Sequence, residues 1–308
     1  MISVTGLTIT SKNFSKNETC VQVFIFVLII SYNGTMQNEE SFKHGIVYDA
    51  GEFPGLESLP TKSPSSEESK LLGKNEFVKL RKEVIELQRA LYAENKQSLL
   101  IVFQALDCGG KDGTIRKVFQ GINPQGVHVA SFKRPTETEL EHDFLWRIHR
   151  HTPAQGMISI FNRSHYEDVL VPLVENLAPL ELIKKRYAHI NNFEACLMDH
   201  GTRILKFFLN ISKDEQARRL QSRLDRPDKR WKFEPQDLRK RADWTAYMLA
   251  FKEMFAACSS ERAPWYIIPS DDKWYRNLVI TRILLAELKK MDPEYPVSRY
   301  DLSDITIE

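Results

Sequence analysis

Gln104-Ala-Leu-Asp-Cys-Gly-Gly-Lys-Asp-Gly-Thr-Ile-Arg116 is the stretch on which the reading of this chain turns. It continues an apolar run that begins at Leu99, and a helical pattern over 114–120 follows it. A strand that turns into a helix through small residues lets successive backbone N–H groups point inward, with a helix N-terminus behind them. A lysine then reaches the outer oxygens of a bound phosphate. Gly109, Gly110 and Lys111 stand where that arrangement needs them. The match to the phosphate loop GxxxxGKS/T is incomplete, because Ala105 takes the first glycine position and Asp112 the place of the hydroxyl that ordinarily touches Mg²⁺. Asp107, inside the loop, adds a carboxylate suited to bind Mg²⁺ or to orient an attacking phosphate oxygen. Gly109, Gly110, Asp112, Gly113 and Thr114 are the candidate phosphate- and nucleotide-binding residues.

Outward from the loop, short apolar runs alternate with helical patterns. Residues 99–106, 127–132, 157–161, 204–211 and 265–269 read as strands, and 114–120, 137–150, 165–176, 213–224 and 237–258 read as helices. Strands apolar nearly throughout, each followed by a helix, imply an α/β fold with a five-stranded parallel sheet and helices on both faces. Ligands in such a sheet bind beyond the carboxyl ends of the strands, where the loop lies. Upstream, Phe77, Leu80, Val84, Leu87 and Leu91 form one helical stripe over 75–95, expected on the outside of the sheet. Residues 51–70 (GEFPGLESLPTKSPSSEESK) have the composition of a linker. Residues 1–70 are therefore expected to be a poorly structured extension and 71–308 a single domain.

The 308-residue chain sets 43 Lys and Arg against 41 Asp and Glu, a formal net charge of +2. No global field marks a nucleic-acid binder, so any polyanion site is local. Four scattered cysteines without a CxxC pair point to a reducing compartment, the cytoplasm. The apolar run 20–30 (CVQVFIFVLII) is short for a membrane span and lacks the flanks of a secretory signal. A start codon assigned upstream of Met36, or a tail that packs as a stray strand, accounts for it, and no membrane partner is expected. The Asn-x-Ser/Thr matches at Asn13, Asn17 and Asn33 matter only in a secreted chain.

The loop and the later motifs quoted below resemble the family-2 polyphosphate kinases, in particular their third class, over roughly residues 75–290. The loop reads ALDCGGKDGT here, with Cys108 and Gly109 where that family commonly has two alanines. Gly121-Ile-Asn-Pro-Gln-Gly126, Ser131-Phe-Lys-Arg-Pro135 and His142-Asp-Phe-Leu-Trp-Arg-Ile-His149 follow the family pattern. Phe161-Asn-Arg-Ser-His-Tyr-Glu-Asp-Val169 is similar to its segment after the third strand, with Asn162 in place of an aspartate and the acid at Asp168. Arg223-Leu-Asp-Arg-Pro-Asp-Lys-Arg-Trp-Lys-Phe233 resembles its lid, and Pro264-Trp-Tyr-Ile-Ile-Pro269 with Asp272-Lys-Trp-Tyr-Arg-Asn277 its last strand and helix. The resemblance implies a thymidylate-kinase-like P-loop fold with a helical lid around 213–245. It also implies Mg²⁺-dependent transfer of phosphate from inorganic polyphosphate to AMP or ADP, giving ADP or ATP, and a homo-oligomer.

Phosphoryl transfer needs metal ions and cations placed where negative charge develops. On this reading Asp107 and Asp168 bind Mg²⁺, Lys111 holds phosphate and Arg163, directly after the third strand, forks onto it. Lys133, Arg134, Arg219, Arg223, Lys229, Arg230 and Lys232 are candidates for the polyphosphate track and lid. His149, His151 and His165 lack a spacing that completes a zinc site. An ATP-dependent nucleoside monophosphate kinase shares the loop, sheet and lid, and a noncatalytic polyanion or nucleic-acid binder is the alternative of another class. Preference among AMP, ADP and guanine nucleotides is not legible.

Overall fold

The computed structural model describes residues 46–47, 55–64, 66–301 and 305–307. The apolar run 20–30, the three Asn-x-Ser/Thr matches and Met36 lie outside the described residues. Strands are β1 (Ile46–Val47), β2 (Ser98–Gln104), β3 (Val127–Ser131), β4 (Ile158–Asn162), β5 (Thr202–Asn210) and β6 (Trp265–Pro269). They form one sheet in the order β1-β6-β5-β2-β4-β3, with β3, β4, β2, β5 and β6 parallel and β1 antiparallel at the edge. The five expected strands are the five parallel ones.

Helices are α1 (Glu67–Glu94), α2 (Lys111–Val118), α3 (Glu137–Leu140), α4 (Trp146–His149), α5 (Glu167–Val174), α6 (Leu180–Asp199), α7 (Lys213–Asp225), α8 (Pro235–Ala242), α9 (Trp244–Cys258) and α10 (Lys273–Met291). Strand periodicity divides the core in two. Along β2, Leu100 and Val102 face one cluster, with α5, α6 and α9, while Leu99, Ile101 and Phe103 face the other, with α1, α2 and α10. Burial on both faces is why β2 reads as an apolar run and β5 as one broken at Lys206.

Several elements differ from the sequence pattern. The segment expected as one helix over 137–150 is two short helices, because Thr136 and Glu139 close a capping box and Asp143 accepts a hydrogen bond from the Leu145 N–H, ending one turn and starting another. Likewise 237–258 divides at Asp243, and Pro235 starts α8 earlier. Helix α6 was not anticipated, and α10 was anticipated only at its start, residues 272–277. Helix α1 begins at Glu67, capped by the Ser66 hydroxyl, and Gly73 lets the Trp274 ring of α10 approach where a Cβ would collide. Part of the stretch expected as linker is packed: Leu56 and Leu59 are buried, and Thr61 donates to Asp271. Among the described residues no helix is long and apolar enough to cross a membrane.

One charge interrupts the α6/α9 face of the sheet. Lys206 of β5 is fully buried and donates to Glu194 (2.7 Å), the Cys258 carbonyl (2.6 Å) and the Tyr166 hydroxyl (3.1 Å). Tyr166 in turn donates to Glu194 at 2.6 Å. Burial alone would raise the Glu194 carboxyl, but Lys206 and His165 hold it down at about 2. A buried pair of this kind stabilises little in itself but is costly to break from one side. Lys206→Met is expected to destabilise the fold by ~3–5 kcal/mol, with Lys206→Met/Glu194→Leu recovering part of the loss. Urea unfolding checks this; a single-variant loss below ~1 kcal/mol contradicts it.

Candidate active site

The carboxyl ends of β2 and β4 open onto one crevice. Beyond β2 the chain turns at Leu106, whose carbonyl accepts from the Gly109 N–H at 2.9 Å. Cys108 (φ 64°) and Gly110 (φ 102°) both take left-handed backbone. For Cys108 that conformation is unfavourable, the kind of strain that persists where surrounding contacts impose it. Gly109 packs so closely on Ala105 that a Cβ would collide with it, so the glycine is required by space. Gly110 is the N-cap of α2, and Lys111 opens the helix.

Lys111 is buried, and its Nζ donates to the Ala105 carbonyl at 3.0 Å, arching back over the loop. Burial, with the Arg163 charge adding to it, pushes its pKa down to about 8, against the pull of Asp107, Glu167 and Asp112. Asp107 accepts from Arg163 at 2.8 Å and pairs with Lys240 at 3.3 Å. Burial alone would raise its carboxyl, but Lys240, Arg163 and Lys111 hold it below the usual range. Arg163 sits at φ 62°, its N–H bonded to the Phe103 carbonyl, so the turn after β4 aims its guanidinium at the loop. Asp112 accepts from Asn162 at 2.8 Å and pairs with Lys232 at 3.1 Å. The Thr114 hydroxyl donates to the Gly110 carbonyl, bracing the first turn of α2, and Gly113 faces open space.

Asp168 stands beside Glu167 in the first turn of α5. Its carboxylate accepts from Arg147 at 3.0 Å and its carbonyl from Arg186. Burial raises its pKa in spite of Arg147. Its neighbour Glu167 is an acid whose charge, like that of Asp107, is felt by both Lys111 and Arg163.

Among the candidate track and lid residues, Arg219 spends its side chain on the loop: Nη1 donates to the Cys108 and Gly109 carbonyls (3.0 and 2.9 Å), Nη2 to those of Ser270 and Asp271, and Nε to Glu215. It is a clamp, with no N–H left over for polyphosphate. Arg223 ties α7 to the segment leading into α8, donating to the Lys232 carbonyl and Asp237, and Arg230 donates to the Leu224 carbonyl. Lys133 is exposed, while its carbonyl accepts from Arg147. Arg134 reaches Gln236 of α8 at 3.5 Å. His149 and His165 pack on Phe193, and His151 stacks on His128. The sequence reading missed Lys240, Arg147, Glu167 and Gln216, which donates to the Asp107 carbonyl. Arg147 and Glu167 carried a signal, each standing inside a quoted motif.

A family model described as Polyphosphate kinase 2 matches residues 67–296. An AMP/ADP-polyphosphate phosphotransferase of Meiothermus ruber is 52% identical over 229 residues, 74% of this chain and 86% of that protein. An ADP-polyphosphate phosphotransferase of Rhodopseudomonas palustris is 44% identical over 260 residues, 80% of this chain and 89% of the relative. The crystal structure of polyphosphate kinase 2 from Arthrobacter aurescens TC1 superposes with a TM-score of 0.74 at 42% identity, covering 75% of this chain and 83% of that one.

The depressed Lys111 pKa has a consequence for stability. The native state disfavours its ammonium form, fully below pH about 8 and not at all once pH passes the ordinary 10.5. Lys111→Met is therefore expected to raise Tm at pH 7 while abolishing turnover. The gain in Tm should shrink between pH 8 and 10.5. Thermal unfolding across that range is the check; a variant less stable than wild type at pH 7 contradicts the burial argument.

Proposed function

Because this chain belongs to the polyphosphate kinase 2 family, we propose that it transfers the terminal phosphate of inorganic polyphosphate to AMP or ADP. The observation that carries this reading is a phosphate loop whose inner carboxylate, Asp107, is enclosed by cations from three elements: Lys111 of α2, Arg163 after β4 and Lys240 of α8. A phosphate oxygen of the acceptor attacks the terminal phosphorus, the P–O–P bond to the rest of the chain breaks, and a polyphosphate one unit shorter leaves. The acceptor gains the phosphate, becoming ADP or ATP. Such a transfer depends on position and charge, with no covalent enzyme intermediate required.

Mg²⁺ suits the donor set. It binds through one or two carboxylates with phosphate oxygens and water completing its shell, and Asp107 is held ionised close to Glu167's neighbours Lys111 and Arg163. Bound Mg²⁺ would offset the charge of the phosphate oxygens. Asp107 with Glu167 is the pair that would hold it, and Asp168, tied to Arg147, positions the start of α5 instead. Lys111 and the loop amides hold the donor's terminal phosphate, and Arg163 lies across from them. Lid lysines 232 and 240, now on Asp112 and Asp107, are free to exchange those carboxylates for phosphate when substrate enters. A covered crevice excludes water, which otherwise takes the phosphate. The cytoplasm is the compartment this reading implies, and nucleic acid is no partner, given a net charge of +2.

The direct test supplies AMP or ADP with long-chain polyphosphate or with ATP as donor. Product is expected with polyphosphate, and ATP as the better donor for AMP would make the protein a nucleoside monophosphate kinase. Asp107→Asn is expected to lower kcat by ~10²-fold or more, the scale of one lost electrostatic contact in the transition state. Glu167→Gln is expected to raise the Mg²⁺ concentration for half-maximal rate more than Asp168→Asn does, and the reverse order would return the metal to Asp168.

A further inference from the structure

Arg276, in the first turn of α10, is 2% exposed. Its Nε and Nη2 both donate to Asn277 Oδ1, at 3.2 and 3.1 Å. Among the described residues Nη1 has no hydrogen-bond partner, and it lies against Gly110, where a Cβ would collide with it. No carboxylate within the described residues pairs with this guanidinium. A buried charge without a counter-ion is costly, and an anion beside it would offset that cost. Lys273, exposed one turn earlier, stands among like charges: after burial, those of Arg219, Lys229 and Arg276 each lower its pKa, and Glu215 alone opposes them. Glu215 is already engaged by Arg218 and Arg219.

We propose that Arg276, Lys273 and Lys229 form a second anion position on the α10 side of the phosphate loop, which takes the inner phosphates of the polyphosphate donor. This rests on the reading of polyphosphate as donor. Attacking and leaving oxygens in phosphoryl transfer lie roughly in line through phosphorus. With the terminal phosphate on Lys111 and the loop amides, a chain that leaves over Gly110 toward α10 frees the opposite, β4 side for the acceptor. Arg163, after β4, stands on that side. A row of cations that runs from a buried guanidinium to the surface suits a repeating anion better than one phosphate group.

The test compares tripolyphosphate with long-chain polyphosphate, with AMP saturating, for wild type, Lys229→Ala/Lys273→Ala and Arg276→Lys. Binding of both chains without AMP is measured by calorimetry in parallel. Wild type is expected to favour the long chain, and the double variant to cut the long-to-short ratio of kcat/KM by ~10-fold or more, with the same narrowing in affinity. Arg276→Lys, which keeps the charge but loses the fork, is expected to narrow the ratio less. Equal losses on both chain lengths, or a KM for AMP that rises in step, would assign these cations to the terminal phosphate or the acceptor and overturn the proposal. Should wild type bind long chains without turning them over, and the double variant lose that binding, the anion position stands and the catalytic reading falls. No difference in affinity between wild type and double variant overturns the anion position whatever the turnover.

Discussion

Five hydrogen bonds meet on the guanidinium of Arg219, and the geometry of the phosphate loop depends on them. Two go to the carbonyls of Cys108 and Gly109, two to those of Ser270 and Asp271, and one to Glu215 on its own helix. The loop carries a non-glycine residue in left-handed backbone at Cys108, and such a conformation needs contacts that over-determine it. By holding two successive carbonyls, Arg219 fixes the peptide planes that carry the Gly109 and Gly110 N–H groups. Because the arginine stands on α7 and also holds the turn after β6, loop, lid base and α10 form one unit. Lysine does not replace such a fork, since it lacks the planar set of five donors.

Around that unit the crevice carries more positive than negative charge. Lys111, Arg163 and Lys240 surround Asp107, and the unpaired Arg276 lies behind Gly110. Burial keeps Lys111 and Arg276 well below their ordinary pKa values, about 8 and about 9. Charges held at such a cost favour a polyanion that arrives with more negative charge than the protein supplies. The same excess works against stability in the empty protein, a common exchange at sites built for binding.

Much of the fold was legible because its strands are apolar on both faces and its loop is rich in small residues at a strand–helix junction. Helices α6 and α10 were legible in principle, since Ile183, Tyr187, Ile190, Phe193 and Leu197 recur at helical steps on α6. Helix α6 went unread because it does not begin at a motif, and of α10 only the start, residues 272–277, was read, through the resemblance. The site was less legible. Glu167 and Asp168 are neighbours on one helix, about 100° apart around its axis, and only the packed structure decides which faces the loop. Arg219 meets Cys108 across 111 positions and Lys240 meets Asp107 from the far end of the lid. Pairings between distant side chains leave no local period in a sequence. Composition misled at residues 55–64, where Pro and Ser hide the buried Leu56 and Leu59.

That Arg219 imposes the loop geometry is the central claim, and hydrogen–deuterium exchange of the peptide spanning 105–113 in wild type and Arg219→Met measures it directly. Faster exchange confined to that peptide and the turn at 270–272, with strands β2 and β5 still protected, together with a kcat lowered by ~10²-fold or more, is the expected result. Unchanged exchange in the loop with turnover retained would contradict it.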